Sequence, residues 1–197
     1  MHYNGNRLLI AGGDLNYNGI DREGTVMYYE NGTWYNFNED GIIKQTNVKY
    51  TNTSSIAQDP SDPTHHYVSS AGHGLYEFKD FKFIKRYDYT NSPLQTILPD
   101  SPRPQDYVRC DALQYDTEGN LWMVNSEVDT ILTILKKDNT WTKLYYEELK
   151  KAPTFLLCFS MTKEGYGFSP KGIPPIKLAF SYWITTELWK THRTIYI

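Results

Sequence analysis

The sequence predicts an all-β protein built from copies of one four-stranded antiparallel sheet. The clearest copy runs from Cys110 to Tyr146, where short apolar runs occupy residues 112–115, 121–124, 131–135 and 141–145. Glycine, asparagine and aspartate separate the runs, as is typical of an antiparallel meander. A single meander cannot bury both of its faces, so we expect several copies to pack on one another.

Two further stretches repeat this plan. Residues 55–87 read SIAQDP, HHYVSSA, GLYEF and FKFIKRY, and residues 25–37 form a hairpin, TVMYYENGTWYNF, after the apolar run LLIAGG. The hairpin turns at Asn31-Gly32, a pair that tolerates the positive φ angles of a tight β-turn. In each copy an aromatic residue follows an asparagine or aspartate by three positions, and these aromatics are Trp34, Phe83 and Trp141.

The spacing of these aromatics indicates the architecture. By subtraction of residue numbers, 49 residues separate Trp34 from Phe83 and 58 separate Phe83 from Trp141. A variable period of this size, with four strands per unit, is typical of a β-propeller blade with insertions. We therefore expect one partial β-propeller domain over residues 1–197, with about three to four blades of four antiparallel strands. The blades are predicted near residues 8–52, 55–95, 109–147 and 155–197, the last being atypical because the repeat breaks after residue 165.

Two segments are predicted to connect blades. Residues 38–52 are polar, with one short strand predicted at Ile42-Ile43. Residues 91–106 contain four prolines, which cannot donate to a strand ladder, so we expect an exposed connector there.

Composition narrows the classes of partner. A formal net charge of -3 and a pI near 5.9 do not favour nucleic acid or anionic lipid. No apolar run approaches the roughly 20 residues that span a bilayer, and no secretory signal is predicted after Met1. Cys110 and Cys158 are each expected to begin a strand as a buried thiol, with a bridge between them left open.

Loops at one end of the sheets are the predicted ligand surface, because loops on a rigid scaffold commonly bind ligands. The first loop offers oxygens from Asp14, Asn16, Asn18 and Asp21. This spacing partly matches a calcium loop, but the twelfth position is threonine instead of glutamate, which favours a polar turn. The second loop, residues 71–74, contributes His73.

Other polar groups are interpreted as structural. Adjacent histidines on a strand point to opposite faces, so His65 and His66 cannot both join His73 at one metal ion, and no metal or other cofactor is expected. Ser69-Ser70 lies near His73 in sequence but lacks the G-x-S-x-G nucleophile motif. Carboxylates at strand ends could act in pairs on glycosides, but their recurrence favours turn formation, and they are Asp59, Asp62, Asp116 and Glu118.

Several residues are interpreted as structural markers of the repeat. They are Asp59, Asp116, Gly119, Trp122, Trp34, Phe83 and Trp141. Among them the three tryptophans are predicted to lie in the core between blades instead of serving as ligand platforms.

Two runs of residues resemble known families. The run from Asp116 to Trp122, DTEGNLW, resembles the D-x-x-G-x-L-W core of the bacterial two-component-regulator propeller repeat. A longer series, LLIAGG at 8–13, SIAQDP at 55–60, GLYEF at 74–78 and NSPL at 91–94, is even more similar to the propeller family associated with type IX secretion. The resemblance covers roughly residues 5–160.

The resemblance implies a non-enzymatic propeller that is exported by a signal peptide to the periplasm or cell surface. The secretion branch assists maturation and surface attachment of exported cargo, whereas the sensor branch binds oligosaccharides and signals to a kinase. We therefore expect a binding or scaffolding module of the cell envelope, with an oligosaccharide sensor as the alternative and a glycan-cleaving propeller third. The expected partners are a protein or a cell-surface glycan or lipopolysaccharide. Because so few blades are present, we expect a fragment of a longer protein that self-associates through open propeller edges.

Overall fold

The computed structural model describes residues 2–4, 6–12, 23–37, 41–145, 157–162 and 165–170. Within these residues the chain forms three four-stranded antiparallel sheets and one two-stranded sheet, and strand order in each follows the chain. The chain divides into two compact units, Met1–Lys151 and Ala152–Ile197. The predicted all-β class, with four-stranded antiparallel sheets, is confirmed.

The three larger sheets belong to the first unit. The first sheet contains β1 (His2–Asn4), β2 (Arg7–Gly12), β3 (Thr25–Glu30) and β4 (Thr33–Phe37). The second contains β5 (Thr53–Gln58), β6 (His65–Ser70), β7 (Gly74–Lys79) and β8 (Lys82–Tyr87). The third contains β9 (Cys110–Tyr115), β10 (Leu121–Asn125), β11 (Leu132–Leu135) and β12 (Trp141–Leu144). In the second unit β13 (Leu157–Thr162) pairs with β14 (Gly165–Pro170), and the rest of the predicted fourth blade lies outside the described residues.

Two hairpin turns are closed by pairs of residues with positive φ. Asn31 and Gly32 have φ of 50° and 82°, which closes the two-residue turn between β3 and β4. Asp80 and Phe81 close the β7–β8 hairpin with φ of 50° and 59°. Phe81 is a bulky residue in the left-handed region, and stacking on Phe37, with ring centroids 3.9 Å apart, holds it there.

The sheets pack face to face in chain order, and β5 lies against both β2 and β9. Alternate side chains of each strand point to opposite faces, so the second sheet contributes to two cores. One core lies between the first and second sheets and includes Leu9, Val26, Ile56, Val68, Tyr76 and Phe78. The other lies between the second and third sheets and includes Ala57, Tyr67, Leu75, Tyr87, Leu121, Met123 and Leu135.

Both β5 and β9 carry an irregularity at the same point of the repeat. The pairing of β5 with β6 shifts between Thr53 and Ser55, and that of β9 with β10 shifts opposite Met123, where Ala112 has φ of 56°. At these bulges serine hydroxyls reach the neighbouring sheet. Ser54 Oγ donates to the Cys110 carbonyl at 3.2 Å, and the Leu113 amide donates to Ser55 Oγ at 3.0 Å.

The structure corrects two of the predicted connections. Ile42-Ile43 begins a short helix, α1 (Ile42–Thr46), instead of a strand, and Ile42 is fully buried among residues of the core between the first two sheets. The proline-rich connector is not wholly exposed. Leu94 is buried in the second core, and the side chain of Asn125 pairs with both backbone groups of Gln95, the amide at 2.5 Å and the carbonyl at 3.1 Å.

The prediction that Trp34 lies in the core between sheets is wrong, because 53% of this residue is exposed. Its ring packs on Tyr29 of the same sheet, with centroids 5.2 Å apart. Trp122 is buried, and Trp141 packs edge-on against Tyr87 of the second sheet at 5.4 Å.

Candidate functional site

A cleft of about 270 Å³ opens between the second and third sheets. Three turns form its rim, namely the turn after β5 at residues 59–61, the turn after β9 at 117–119 and the turn after β11 at 136–139. Tyr67 and Tyr115 line its wall. We call this space the inter-sheet cleft, and it combines aromatic rings with charged groups of both signs.

His65 is the central polar group of the inter-sheet cleft. Its Nδ1 lies 3.2 Å from Asp59 Oδ2, and its Nε2 lies 2.9 Å from Glu77 Oε1. The hydroxyl of Tyr87 donates to the other oxygen of Glu77 at 2.7 Å. His65 begins β6 and Glu77 lies on the adjacent β7, so strand pairing brings the imidazole and this carboxylate to one face. The result is a carboxylate–imidazole–carboxylate chain.

Hydrogen bonding sets the pKa values of these three groups, Asp59, His65 and Glu77. The hydrogen bond to Glu77 raises the pKa of His65 against the opposing effect of burial, and the bond to Asp59 adds to the increase. Burial favours a higher pKa for Glu77, but hydrogen bonds from His65 and Tyr87 outweigh it and lower that pKa. The pKa of Asp59 is likewise lowered, because hydrogen bonds from Ser61 and His65 outweigh burial. These three pKa shifts favour a protonated His65 imidazolium held between two ionised carboxylates.

The tyrosines of the cleft stay neutral. Burial, with the nearby Glu77 carboxylate adding to it, raises the pKa of Tyr67 far above its ordinary value. Burial likewise raises the pKa of Tyr115, and the carboxylates of Asp59 and Glu77 add to it. The rim adds Glu118, Lys136 and Lys137. Neutral aromatic faces beside groups that donate and accept hydrogen bonds suit a ligand with many hydroxyl groups better than a purely apolar ligand.

Of the predicted ligand residues, the structure describes His73, which does not line this cleft. Asp14, Asn16, Asn18 and Asp21 lie outside the described residues. His73 is buried at the turn after β6, whereas His65 begins that strand, so the two histidines are at opposite ends of β6. The backbone of His73 forms a parallel bridge with Val108, and its carbonyl accepts a hydrogen bond from Arg86 Nε at 2.6 Å.

The hydroxyls of Ser69 and Ser70 form hydrogen bonds within the second sheet and the turn that follows β6. The hydroxyl of Ser70 accepts the backbone amides of Gly72 and His73, at 3.2 and 3.0 Å, and donates to the Thr51 carbonyl. The hydroxyl of Ser69 lies 2.8 Å from that of Ser55. Within the described residues no group of three or more His, Cys, Asp or Glu side chains is arranged to hold a metal ion.

Asp116 organises the turn between β9 and β10. Its carboxylate accepts the Glu118 and Asn120 amides, at 2.9 and 2.8 Å, and the indole N–H of the buried Trp122 at 2.9 Å. Gly119, with φ of 86°, lets the chain reverse inside this turn. Asp59 performs a similar task after β5, because its Oδ1 accepts the amide and hydroxyl of Ser61 at 2.8 and 2.7 Å.

The other predicted carboxylates and cysteines also have structural surroundings. Asp62 accepts the amide and hydroxyl of Thr64 and forms an ion pair with Lys79. Cys110 begins β9 as a buried free thiol, whose pKa burial raises. In the part of the chain that the structure describes, no helix is long and apolar enough to cross a membrane.

Sequence reasoning missed Glu77, Tyr87, Tyr67 and Tyr115 as site residues. The one local signal was Glu77 itself, a single acidic residue inside the otherwise apolar run GLYEF. An acid in a buried strand needs a partner, and His65 lies on the same face of β6, two positions from Tyr67, the residue that pairs with Glu77.

No family model and no curated protein matches the sequence. The fold is similar to the solved structure of PorZ, described as an essential bacterial surface component of the type-IX secretion system of Porphyromonas gingivalis. The TM-score is 0.70 at 24% sequence identity, and the match covers 87% of this chain. The chain corresponds to 23% of the PorZ chain, and at this identity the likeness is evidence for the fold alone.

Proposed function

We propose that this chain is part of a β-propeller and acts as a non-enzymatic binding or scaffolding module of bacterial cell-envelope machinery of the type IX secretion kind. The observation that carries the proposal is the fold similarity to PorZ, a surface component of that system, at a TM-score of 0.70 over 87% of the chain. The match takes in most of the chain, so the likeness rests on the set of sheets and not on one isolated motif.

The sheet arrangement supports the propeller reading. Each of the three larger sheets is a four-stranded meander in chain order, and β5, the first strand of the second sheet, lies against β2 and β9 of its two neighbours. The bulges at Ser54 and Ala112 are 58 residues apart by subtraction, the same offset that separates Phe83 from Trp141. Equivalent irregularities at equivalent positions are what repeated blades require.

The ionisation of the inter-sheet cleft supports a role in binding over catalysis. A carboxyl group that acts as a general acid on a glycoside needs a raised pKa. The pKa values of Asp59 and Glu77 are both lowered, because hydrogen bonds from Ser61 and His65 to Asp59, and from His65 and Tyr87 to Glu77, outweigh burial. Turnover of any glycan that is lost on Asp59→Asn substitution would contradict the non-enzymatic proposal.

A capture experiment tests the leading function. The purified chain, immobilised through a terminal tag, is exposed to lipopolysaccharide and, separately, to proteins exported by a bacterium that carries type IX secretion. We expect selective retention of lipopolysaccharide or of exported cargo, relative to an unrelated all-β protein of similar charge. Equal retention on both surfaces would contradict the proposal. Fractionation of the source cells should place the protein in the envelope, and recovery in the cytosol would count against it.

A second candidate is the oligosaccharide-binding portion of a sensor, and the inter-sheet cleft favours it. Tyrosine rings beside Glu77, Asp59 and His65 provide the stacking and hydrogen bonding that sugars require. On a glycan array, this candidate predicts tight binding to a defined oligosaccharide that is lost in Glu77→Gln. Glu77 acts on the cleft through its hydrogen bond to His65, which lines it. Glu127→Gln is the matched control, since Glu127 pairs with Arg109 and neither of these two residues lines the cleft. Binding that survives Glu77→Gln would remove the cleft from consideration.

A further inference from the structure

The last strand of each larger sheet forms an edge. The first, second and third sheets end on β4, β8 and β12, and within the described residues each of these strands pairs on one side only. The second sheet is packed on both faces, by the first sheet and by the third, and β8 is an edge all the same. The open edge at β4 therefore does not depend on what covers the faces of the first sheet.

The turn before β4 determines which backbone groups this edge presents. It is a two-residue turn, and the residues that flank such a turn exchange both backbone hydrogen bonds. Thr33 is one of these flanking residues and is paired with Glu30. Hydrogen-bonded pairs alternate along an antiparallel ladder, so Tyr35 also bonds to β3. The backbone N–H and C=O groups of Trp34 and Asn36 therefore point away from β3, toward the open side of the sheet.

The edges of the second and third sheets are protected against strand addition, whereas that of the first sheet is not. β8 exposes Lys82 and Lys85, and its pairing with β7 shifts between Glu77 and Phe78. β12 has four residues, one of which is the exposed Lys143. Lysines, bulges and short strands keep sheet edges from pairing with other chains. β4 pairs with β3 in unbroken register and reads TWYNF, without a charged residue.

We infer that β4 is an interaction edge and that its occupant is β4 of a second copy of this chain, added antiparallel about a two-fold axis at Tyr35. The outward-pointing groups belong to Trp34 and Asn36, which are symmetric about Tyr35. In this register Trp34 lies opposite Asn36 of the second copy, and Asn36 opposite Trp34 of the second copy. Two hydrogen-bonded pairs of two bonds each then join the strands, four bonds in all.

The side chains and the symmetry favour the same occupant. The residues from Thr33 to Asn36 are all exposed, and Tyr35 is 42% exposed, so a second strand can approach. Tyr35 would lie opposite Tyr35 of the second copy, an aromatic pair of the kind that stabilises neighbouring strands, and no like charges meet. A preformed strand loses less conformational freedom on pairing than a flexible peptide does. The two-fold contact uses both edges and closes. This association goes beyond the proposed envelope role and does not rest on it.

Sedimentation equilibrium across roughly the micromolar to millimolar range tests the inference. We expect the wild-type chain to form a dimer and no larger assembly. Asn36→Pro removes an outward N–H without removing a bond to β3, as proline does on an edge strand. It should raise the dimer dissociation constant by at least about tenfold, because both copies lose a hydrogen bond. Asn36→Ala keeps this N–H and is the matched control, so its dissociation constant should equal that of the wild type.

Disulfide formation tests the register independently. Opposite residues in a non-hydrogen-bonded pair have Cα atoms about 4.5 Å apart, which a disulfide can bridge. Tyr35→Cys should therefore give a covalent dimer on mild oxidation, seen on a non-reducing gel. Thr33→Cys is the matched control, because Thr33 is exposed on the same strand but lies opposite Phe37 of the second copy. Its two copies are offset by four residues, roughly 14 Å, and should not link.

Each outcome decides the inference. A wild-type chain that stays monomeric at millimolar concentration would overturn it. A dimer that Asn36→Pro leaves intact, with its near-ultraviolet circular dichroism unchanged, would also overturn it. If Asn36→Pro fails to fold, the two cysteine variants decide, and linking of Thr33→Cys as complete as that of Tyr35→Cys would exclude the register.

Discussion

His65 and His66 are consecutive on β6 and have opposite surroundings. His65 lies in the inter-sheet cleft between Asp59 and Glu77, at 3.2 and 2.9 Å. His66 stacks on Phe78 in the other core, with ring centroids 5.1 Å apart and an interplanar angle of 4°. The carboxylates raise the pKa of His65, whereas burial lowers the pKa of His66 to about 3. Two neighbouring imidazoles therefore couple folding to pH in opposite directions.

The first prediction concerns His65→Gln. A pKa raised above the unfolded value of about 6.5 means that the folded state binds the proton more tightly. The stabilisation by His65 is therefore complete below about pH 6.5 and disappears as the pH rises through the folded-state pKa. We expect His65→Gln to lower the free energy of unfolding by about 1 kcal/mol near pH 5.5 and by much less near pH 8.5, measured by urea denaturation.

His66→Phe is the control of opposite sign. The lowered pKa of His66 means that the unfolded state binds the proton more tightly, so the wild type loses stability as the pH falls below about 6.5. Phenylalanine preserves the stack on Phe78 and removes the titrating group. The free energy of unfolding of this variant should therefore rise relative to that of the wild type as the pH falls. Parallel pH profiles for His65→Gln and His66→Phe would contradict the assignment of the two environments.

The second prediction concerns Asp116→Ala. This substitution removes the acceptor of two turn amides and of the Trp122 indole. We expect a loss of about 3 kcal/mol in the free energy of unfolding, since several hydrogen bonds to a charged acceptor are lost together. Asp138→Ala is the matched control, because Asp138 caps the β11–β12 turn with bonds from Thr140 alone, and it should cost clearly less. Equal costs would mean that the additional bonds of Asp116, from the Trp122 indole and the Asn120 side chain, add nothing.

The third prediction concerns the buried ion pair of Arg86 and Asp88. Arg86 donates to Asp88 at 2.7 Å, to the His73 carbonyl at 2.6 Å and to the Gln105 carbonyl at 2.8 Å. Both side chains are only 7% exposed, so Arg86→Met leaves a buried carboxylate without its cation. We expect a cost of about 4 kcal/mol in calorimetric or urea unfolding.

The control for Arg86 is the exposed pair of Arg103 and Asp106. Arg103→Met removes an arginine whose side chain is 51% exposed, and water replaces the lost contact with Asp106. A small change in stability is expected. A cost for Arg103→Met as large as that for Arg86→Met would show that burial is not the source of the effect.

The fourth prediction compares two glycines of similar backbone conformation. Gly74 has φ of 87°, and a Cβ there would lie 2.2 Å from the carbonyl oxygen of Tyr87. Gly32 has φ of 82°, and a Cβ there meets nothing within 4 Å. Gly32→Ala should cost about 1 kcal/mol from backbone strain alone, and Gly74→Ala at least about 3 kcal/mol because β7 and β8 must separate. Thermal unfolding of the two variants measures the difference.

The strands of the second and third sheets could be predicted because their signals are local. Alternating apolar residues and turn residues such as Asp138-Asn139 act within a few positions of one another. The helix at Ile42 could not, because two adjacent isoleucines fit either a strand or a helix, and the surrounding sheets decide between them. The exposure of Trp34 could not be predicted either, since an aromatic residue at a repeat position does not reveal whether another sheet lies beside it.

The inter-sheet cleft was beyond prediction for a related reason. Its walls come from the second and third sheets, and residues such as Tyr67 and Tyr115 are distant in sequence. The packing of these two sheets on each other brings them together. The sequence marks His65 as a candidate metal ligand, but its partners Asp59 and Glu77 depend on the turn after β5 and on the pairing of β6 with β7.

The serine hydroxyls at the bulge of β5 bond to the backbone of β9, and this affects how the molecule unfolds. Apolar faces alone would allow one sheet to detach and expose only hydrocarbon, as stacked repeats often do. Here the Leu113 amide of one sheet depends on the Ser55 hydroxyl of another, and the Cys110 carbonyl depends on Ser54. If the second sheet unfolds, the Leu113 amide and the Cys110 carbonyl of the third sheet lose these hydrogen bonds. If the third sheet unfolds, the hydroxyls of Ser54 and Ser55 lose them. The second and third sheets should therefore open as a single cooperative unit, with the Leu113 amide exchanging its hydrogen only when both are lost.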